Sequence, residues 1–585
     1  MNLSPLSSFI SPVLSRIQNS VRIHMAINLA TRIADNPTHG KEVIQYLIDE
    51  GALEVRKIRD ETTNEDIVFV GKPKSEYHIL REVPRWEPDA MLTENQCKVL
   101  NYLQDATYSI NMKVYDFVQK HRDHWKWKMG DRTMAKIGST MKAIQEYLVK
   151  YPDGIFKQKY ATPDGRRYYA LMNPLTHQGG DVPRGLTQWG KKYKVKSRAA
   201  IWKIAAILKD EYGVGMDNYK LVVNNPDLSF GTEHGLKGKK PACTYAAALC
   251  IAELMETGES AFIVQQDQTC SGFQHWGMEL DCHNLALLTN LLGGSKKDLY
   301  TEAAKMAQLF VSGDYEYFFD RKSGKFFVMR IGYGAAAASL ARGLILDKPQ
   351  DDEYRYLNDD GVYIPNSLET LAMSRFNEDN YDYFVKLGWS EAVHQSQAIS
   401  KAYYNGLMKL SPKLQSALRM CKEANRAALA KGEFMHWVLP NGDVKKNVAW
   451  KPNPEAKRVR ISMRDQKDVK FQFSFMPMER MANDSAVAPI FIHGADGLTM
   501  GEMIIDSHEN YFEPIAPIHD STGTTVSHFD EIPSMWTRTC TRLWLNRKES
   551  MFFETMRRYG IVIPKKVWPK GWSPIDISKA QYHLG

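Results

Sequence analysis

Ala261–Phe262–Ile263–Val264–Gln265–Gln266–Asp267–Gln268–Thr269–Cys270–Ser271–Gly272–Phe273–Gln274–His275 is the stretch from which the rest of the chain is read. Its first four residues are apolar and β-prone, and they predict a short buried strand that carries Asp267 to its end. A strand end holds an anion rigidly, as a carboxylate that grips a metal requires. Taken alone, an aspartate after four apolar residues is ordinarily a turn or cap residue.

Two further stretches change that reading. Arg321, Lys325, Met329 and Tyr333–Gly334 recur at spacings of four, along one slowly drifting helix face. That face stacks a guanidinium, an ammonium, a thioether and a phenol, which is wrong for a core; two cations one turn apart suit a triphosphate. Ile515–Ala516–Pro517–Ile518–His519–Asp520–Ser521–Thr522–Gly523–Thr524–Thr525–Val526 reads as strand, tight turn and strand, with Asp520 at the turn.

In this order the three stretches resemble the catalytic motifs of the phage-type single-subunit RNA polymerases, the family shared by phages and mitochondria. D-x-x-C-S-G-x-Q-H resembles the first motif, R-x-x-x-K-x-x-x-M-x-x-x-Y-G the second and H-D-S the third. Further similarities lie at Ser109–Val114, Asn173–Pro174 with Gln178–Asp181, Asp298–Leu299–Tyr300, and Ala488–Pro489 leading to His493 and Asp496–Gly497. The sequence departs from the family at Gln268, usually Gly, at Arg330–Ile331–Gly332, usually small and apolar, and in a short segment between Tyr300 and Arg321.

The resemblance implies a mainly helical α+β fold. It would be a right-hand polymerase of palm, fingers and thumb, with an antiparallel palm sheet carrying the catalytic carboxylates. It divides the chain into a reduced amino-terminal region (1–112), thumb-like helices (113–160), a first palm part (161–283), fingers (284–493, with a basic hairpin at about 450–482) and a second palm part (494–585). It makes Asp267 and Asp520 catalytic ligands of two Mg²⁺ ions and gives Arg321 the triphosphate. Lys325 is the better candidate for general acid, because an ammonium releases a proton and a guanidinium does not. Tyr333 and His493 would sense the 2′-hydroxyl, Tyr300 would border the nucleotide pocket and His519 would flank Asp520. Family A DNA polymerases are the nearest rival. They usually carry Glu where Gly272 stands and Phe or Tyr where Met329 stands, so both positions favour ribonucleotides. A primase or an inactive nucleic-acid-binding relative remain the other readings.

Composition sets bounds on these expectations. The chain has 585 residues, enough for several cores, and 43% hydrophobic with 25% charged residues is ordinary for a soluble protein. The cysteines at 97, 243, 250, 270, 282, 421 and 540 include no C-x-x-C pair, which argues against zinc and a disulfide framework. No apolar run is long enough to span a bilayer. The first 34 residues contain Arg16, Arg22 and Arg32 without an acid, open to either a surface helix or a mitochondrial transit peptide. Helices are expected over 13–34 and 41–53, and a cation–indole mixture over 120–128 suits a thumb along a duplex.

The net charge of +8 is modest, so its distribution matters more. Arg184, Lys191, Lys192, Lys194, Lys196, Arg198 and Lys203 crowd one acid-free stretch with Trp189, Tyr193 and Trp202, and Lys237–Lys240 continues it. Clustered cations with aromatics predict a polyanion track. Residues 351–382 are acidic and tyrosine-rich, a poor nucleic-acid surface. Residues 458–463 and 470–475 alternate in polarity and predict a hairpin whose edge carries Arg458, Arg460 and Lys470, suited to a major groove. The family's hairpin at this point reads promoter bases.

The expected partners are a DNA template, nascent RNA and rNTPs, with no membrane, in the cytoplasm of an infected bacterium or, alternatively, a mitochondrion. The first catalytic aspartate comes much earlier here than in the phage enzymes, so most of their promoter-melting region lacks a counterpart. Weak initiation on linear duplex follows as an expectation, with an accessory subunit or single-strand-binding protein opening the promoter.

Overall fold

The computed structural model describes residues 54–59, 66–71, 79–88, 92–122, 131–162, 166–171, 174–212, 219–226, 240–311, 318–345, 355–357, 363–365, 387, 389–452, 457–462, 470–475, 478–481 and 486–584. The fold is helix-rich α+β with small antiparallel sheets. It forms two compact units, one drawn from residues 1–266, 448–481 and 500–535, the other from 267–447, 482–499 and 536–585.

The first unit holds two three-stranded sheets. In one, Ser521–Thr524 is central between Val264–Gln266 and Ala516–Ile518; in the other, Thr107–Ile110 is central between Ile155–Lys157 and Thr187–Trp189. The second sheet packs Tyr108, Phe156 and Trp189 into a core with Leu186, Ala246 and Ala516. Ile204, Leu208, Ile251, Leu254, Val264 and Val526 build the other core, between the helices Arg198–Tyr212 and Pro241–Thr257. Helix Pro241–Thr257 begins with Pro, whose missing N–H is no loss there, and stops at Gly258, left-handed at φ 73°. The strand expected over Ala261–Val264 lies further on, at Val264–Gln266. The carbonyl of Ala261 accepts a hydrogen bond from the Trp189 amide, and outside that ladder Ala261 and Ile263 are buried and Phe262 half-buried.

The second unit is mainly helical. The helix Trp389–Leu410 ends before Ser411, which caps a new helix, Pro412–Ala430, with Pro at its first position. A short helix, His283–Leu288, follows the helix Ser271–Glu279. Asn290 ends the turn at φ 61°, its side chain bonded to both the amide and the carbonyl of Lys297.

The basic hairpin pairs Lys457–Ser462 with Lys470–Phe475, in a register that sets Arg458 opposite Ser474, Arg460 opposite Gln472 and Lys470 opposite Ser462. The helices expected over 13–34 and 41–53 lie outside the described residues, as do Asn173, 237–239, most of 351–382 and most of the 120–128 stretch.

Candidate active site

Asp520 is set by a tight hairpin. Ala516–Ile518 and Ser521–Thr524 pair antiparallel, leaving only His519 and Asp520 to turn the chain. His519 adopts φ 60°, as the first central residue of such turns requires, at a cost of about 1–2 kcal/mol for a residue with a Cβ. Neighbours hold the turn in place. His177 Nε2 and Gln178 Nε2 both donate to the Pro517 carbonyl, at 3.0 and 2.7 Å, and Tyr169 meets the His519 ring edge-on at 5.7 Å. Burial pushes His177 down to about 4, so its ring is neutral and its Nε2–H is a donor. On the other side, Gln266 pairs with Thr522, and Ser521 Oγ donates to Gln265 Oε1 at 2.9 Å. Asp267 is the next residue of the chain and is exposed.

In the second unit, the loop after Asp267 ends at Cys270, left-handed at φ 60°, and enters the helix Ser271–Glu279, every residue of which is buried. Residues from far along the chain tie this loop down. Thr269 donates its amide to the His583 carbonyl at 2.8 Å and its hydroxyl to the Tyr582 carbonyl at 2.7 Å. Gln274 Nε2 also donates to the His583 carbonyl, at 2.9 Å. A Cβ placed on Gly272 would lie 3.5 Å from Tyr333 Cε1 and 3.6 Å from its hydroxyl. The Tyr333 ring in turn meets His493 edge-on at 5.4 Å. One helical turn past His493, Asp496 Oδ1 lies 3.2 Å from His275 Nε2, both side chains fully buried. This pair links the helix of His493 to the helix that follows Asp267.

Helix Arg321–Gly332 starts at Asp320, whose side chain accepts the Ser323 amide. It buries Gly324, Phe327, Val328 and Ile331 and exposes Arg321, Lys325 and Met329, the face expected from their spacing. Gly324 is needed for close packing, since a Cβ there would stand 2.3 Å from the Tyr300 carbonyl oxygen. Asp298 caps the helix Leu299–Gln308 through the Tyr300 amide and also accepts Arg321 Nε at 2.6 Å. The Arg321 guanidinium lies over the buried Tyr300 ring, 5.5 Å from its centroid. The sequence pointed to Tyr300 and Arg321 but gave Asp298 no role, and residues 582–584 carried no signal at all.

Comparison with known proteins decides the family: residues 216–547 match DNA-dependent RNA polymerase. The chain belongs to that family, in its phage-type single-subunit form. A DNA-directed RNA polymerase of Pseudomonas phage phiKMV is 22% identical over 444 residues, covering 70% of this chain and 50% of that protein. The chain thus spans about half the length of that relative.

In this member of the polymerase family the basic stretch is not uniform. Trp189 is 1% exposed and belongs to the core, so it is removed from the aromatics expected to face a ligand. Arg184 is half-buried and donates to the Gly179 carbonyl. Lys192 sits 2.7 Å from Glu253, and Lys191 lies over the Tyr193 ring. Lys194, Lys196 and Arg198 are exposed. Among the described residues no helix is long and apolar enough to cross a membrane.

Proposed function

We propose that the chain is a DNA-directed RNA polymerase, adding ribonucleotides from rNTPs to an RNA 3′-hydroxyl opposite a DNA template. The observation that carries the reading is the group formed by Gly272, Tyr333 and His493. A side chain at position 272 would occupy the space beside the Tyr333 hydroxyl. Leaving it empty suits a sugar whose 2′-hydroxyl hydrogen-bonds there, and a deoxy sugar would forgo that bond. A family A DNA polymerase, with Glu at this point, would fill that space.

The remaining parts fall into roles. Arg321 and Lys325, on the exposed helix face, neutralise the triphosphate, with Arg321 aimed by Asp298 and Tyr300. The 3′-hydroxyl oxygen, releasing its proton to solvent water, attacks the α-phosphorus; the bond from the α-phosphorus to the oxygen bridging to the β-phosphate breaks, and Lys325 gives that oxygen a proton. Asp267 and Asp520 are the metal ligands of this reading. The register Gln266↔Thr522 supports it, because each carboxylate is within two residues of that pair along the chain. Magnesium keeps waters and substrate phosphates and takes one or two carboxylates, so this donor set fits it. Mg²⁺ held there supplies acidification of the 3′-hydroxyl and charge against the leaving pyrophosphate. The phage relative supports placing this activity in an infected bacterial cell.

The test is single-nucleotide addition on a primed DNA template. Asp267→Asn and Asp520→Asn each remove nucleotide addition while template affinity stays within about twofold, because cations elsewhere carry the binding. Synthesis at near-parental rates by either variant rejects the assignment. Preference of the parent for dNTPs over rNTPs favours the DNA polymerase reading instead.

A further inference from the structure

The acid-free run from Val182 to Lys209 contains an exposed tryptophan, Trp202, that catalysis does not use. Trp202 is 59% exposed, although its neighbours in the helix Arg198–Tyr212, Ile204, Ala205 and Leu208, are buried. Arg198 stands one turn earlier on the same exposed face. Before it, past the strand Tyr193–Lys194, exposure alternates residue by residue. Lys194, Lys196 and Arg198 face solvent, while Val195 and Ser197 between them are half-buried. The three cations are thus exposed along the segment that leads into the helix of Trp202.

Part of the other half of the stretch is compensated. Lys192 pairs with Glu253 at 2.7 Å, and Glu256 and Glu259 also bear on its charge. Lys194 stands opposite Glu259 in the strand register. Among the described residues neither Lys196 nor Arg198 is paired with a carboxylate. Positive potential is therefore concentrated at the Trp202 end.

Resting on the polymerase reading above, we propose that Lys196, Arg198 and Trp202 form a binding site for single-stranded nucleic acid. The two cations contact successive phosphates and the indole stacks on a base. Every base presents a π-face, so the site is sequence-tolerant. It requires a strand whose bases are free, because a duplex offers the indole only its backbone.

Three ligands separate the contributions: a fluorescent oligo-dT twelve-mer, an abasic strand of the same length and a twelve-pair duplex, read by anisotropy. Trp202→Ala weakens oligo-dT binding about tenfold, leaves the abasic strand and duplex unchanged, and Trp202→Phe restores most of the loss. Lys196→Ala with Arg198→Ala weakens oligo-dT and abasic strand alike and lowers the salt slope by about 1.4, roughly 0.7 per charge. The site is rejected if the parent does not bind oligo-dT. It is also rejected if Trp202→Ala binds it like the parent, or if that variant loses oligo-dT, abasic strand and duplex equally. These affinities are measured without nucleotide addition. A chain that binds as described but never extends a primer therefore overturns the polymerase reading and leaves the site standing.

Discussion

At position 272 the missing side chain is itself the feature. Tyr333 Cε1 and its hydroxyl stand 3.5 and 3.6 Å from where a Cβ would be, ordinary contact distances. Gly272→Ala is therefore tolerated, whereas Gly272→Glu extends into the space beside the phenol. We expect Gly272→Glu to lower rNTP incorporation at least about tenfold more than dNTP incorporation, measured with both substrates on one primed template. Tyr333→Phe acts from the other side. It deletes one hydroxyl, worth roughly 0.5–1.5 kcal/mol or more when a partner is left unsatisfied. The rNTP-to-dNTP ratio should fall about tenfold with rNTP turnover nearly intact, and an unchanged ratio would make the phenol structural. Much at this scale was legible. Four-residue spacing marked Arg321, Lys325 and Met329 as an exposed face, and burial of Phe327, Val328 and Ile331 on the other side shows why. Trp189 was misread for a physical reason. An indole among lysines looks like a stacking platform, but it closes a strand whose inner face is core.

Helix ends carry the next level of the argument. Asp298 does two jobs with one carboxylate, accepting the Tyr300 amide and holding Arg321 Nε at 2.6 Å. Asn caps nearly as well as Asp but carries no charge, so Asp298→Asn separates the two jobs. The pair is largely exposed and worth about 1 kcal/mol at most. The expected outcome is a KM for rNTP raised about two- to fivefold with kcat and melting temperature little changed. At the far end of the helix Ser271–Glu279, burial pushes the Glu279 carboxyl up to about 7. One of its oxygens accepts the Phe552 amide at the start of the helix Met551–Arg558, at 2.8 Å. The folded value lies above the ordinary 4.5, so the proton favours the fold. That contribution is full below pH 4.5 and is lost as pH rises through 7, roughly 3 kcal/mol in all. Glu279→Gln keeps an acceptor for the amide and carries no charge. Relative to the parent it should gain a few degrees of melting temperature between pH 5 and pH 8. A difference independent of pH would mean the carboxyl does not titrate in this range. The caps at Asp298 and Ser411 are local, although the sequence reading gave neither residue that role. The Arg321 and Phe552 contacts join segments far apart and leave no periodic trace in the sequence.

Across the whole chain, the least legible feature lies beside Asp267, the proposed metal ligand. Thr269 and Gln274 lie just past Asp267, yet their partners are the carbonyls of Tyr582 and His583, some 310 positions on. The His583 ring is buried against Trp536 at 4.9 Å, which anchors the segment independently of those bonds. A loop that must present a carboxylate has few internal bonds to fix it, and Cys270 at φ 60° is a further conformation that needs outside support. Small displacements of a reacting group are costly: about 1 Å can cost a hundredfold in rate. Deleting residues 582–585 should therefore lower single-nucleotide addition at saturating rNTP at least about tenfold, with KM and template affinity changed far less. Thr269→Val isolates one bond, replacing the hydroxyl donor to Tyr582 by a methyl of the same shape. It should cost about two- to threefold in kcat without a shift in melting temperature. Loss of rate in step with loss of folded protein, in both variants, would reduce the segment to a packing element. Loss of rate with the fold intact would make it a positioning element for the loop that carries Asp267.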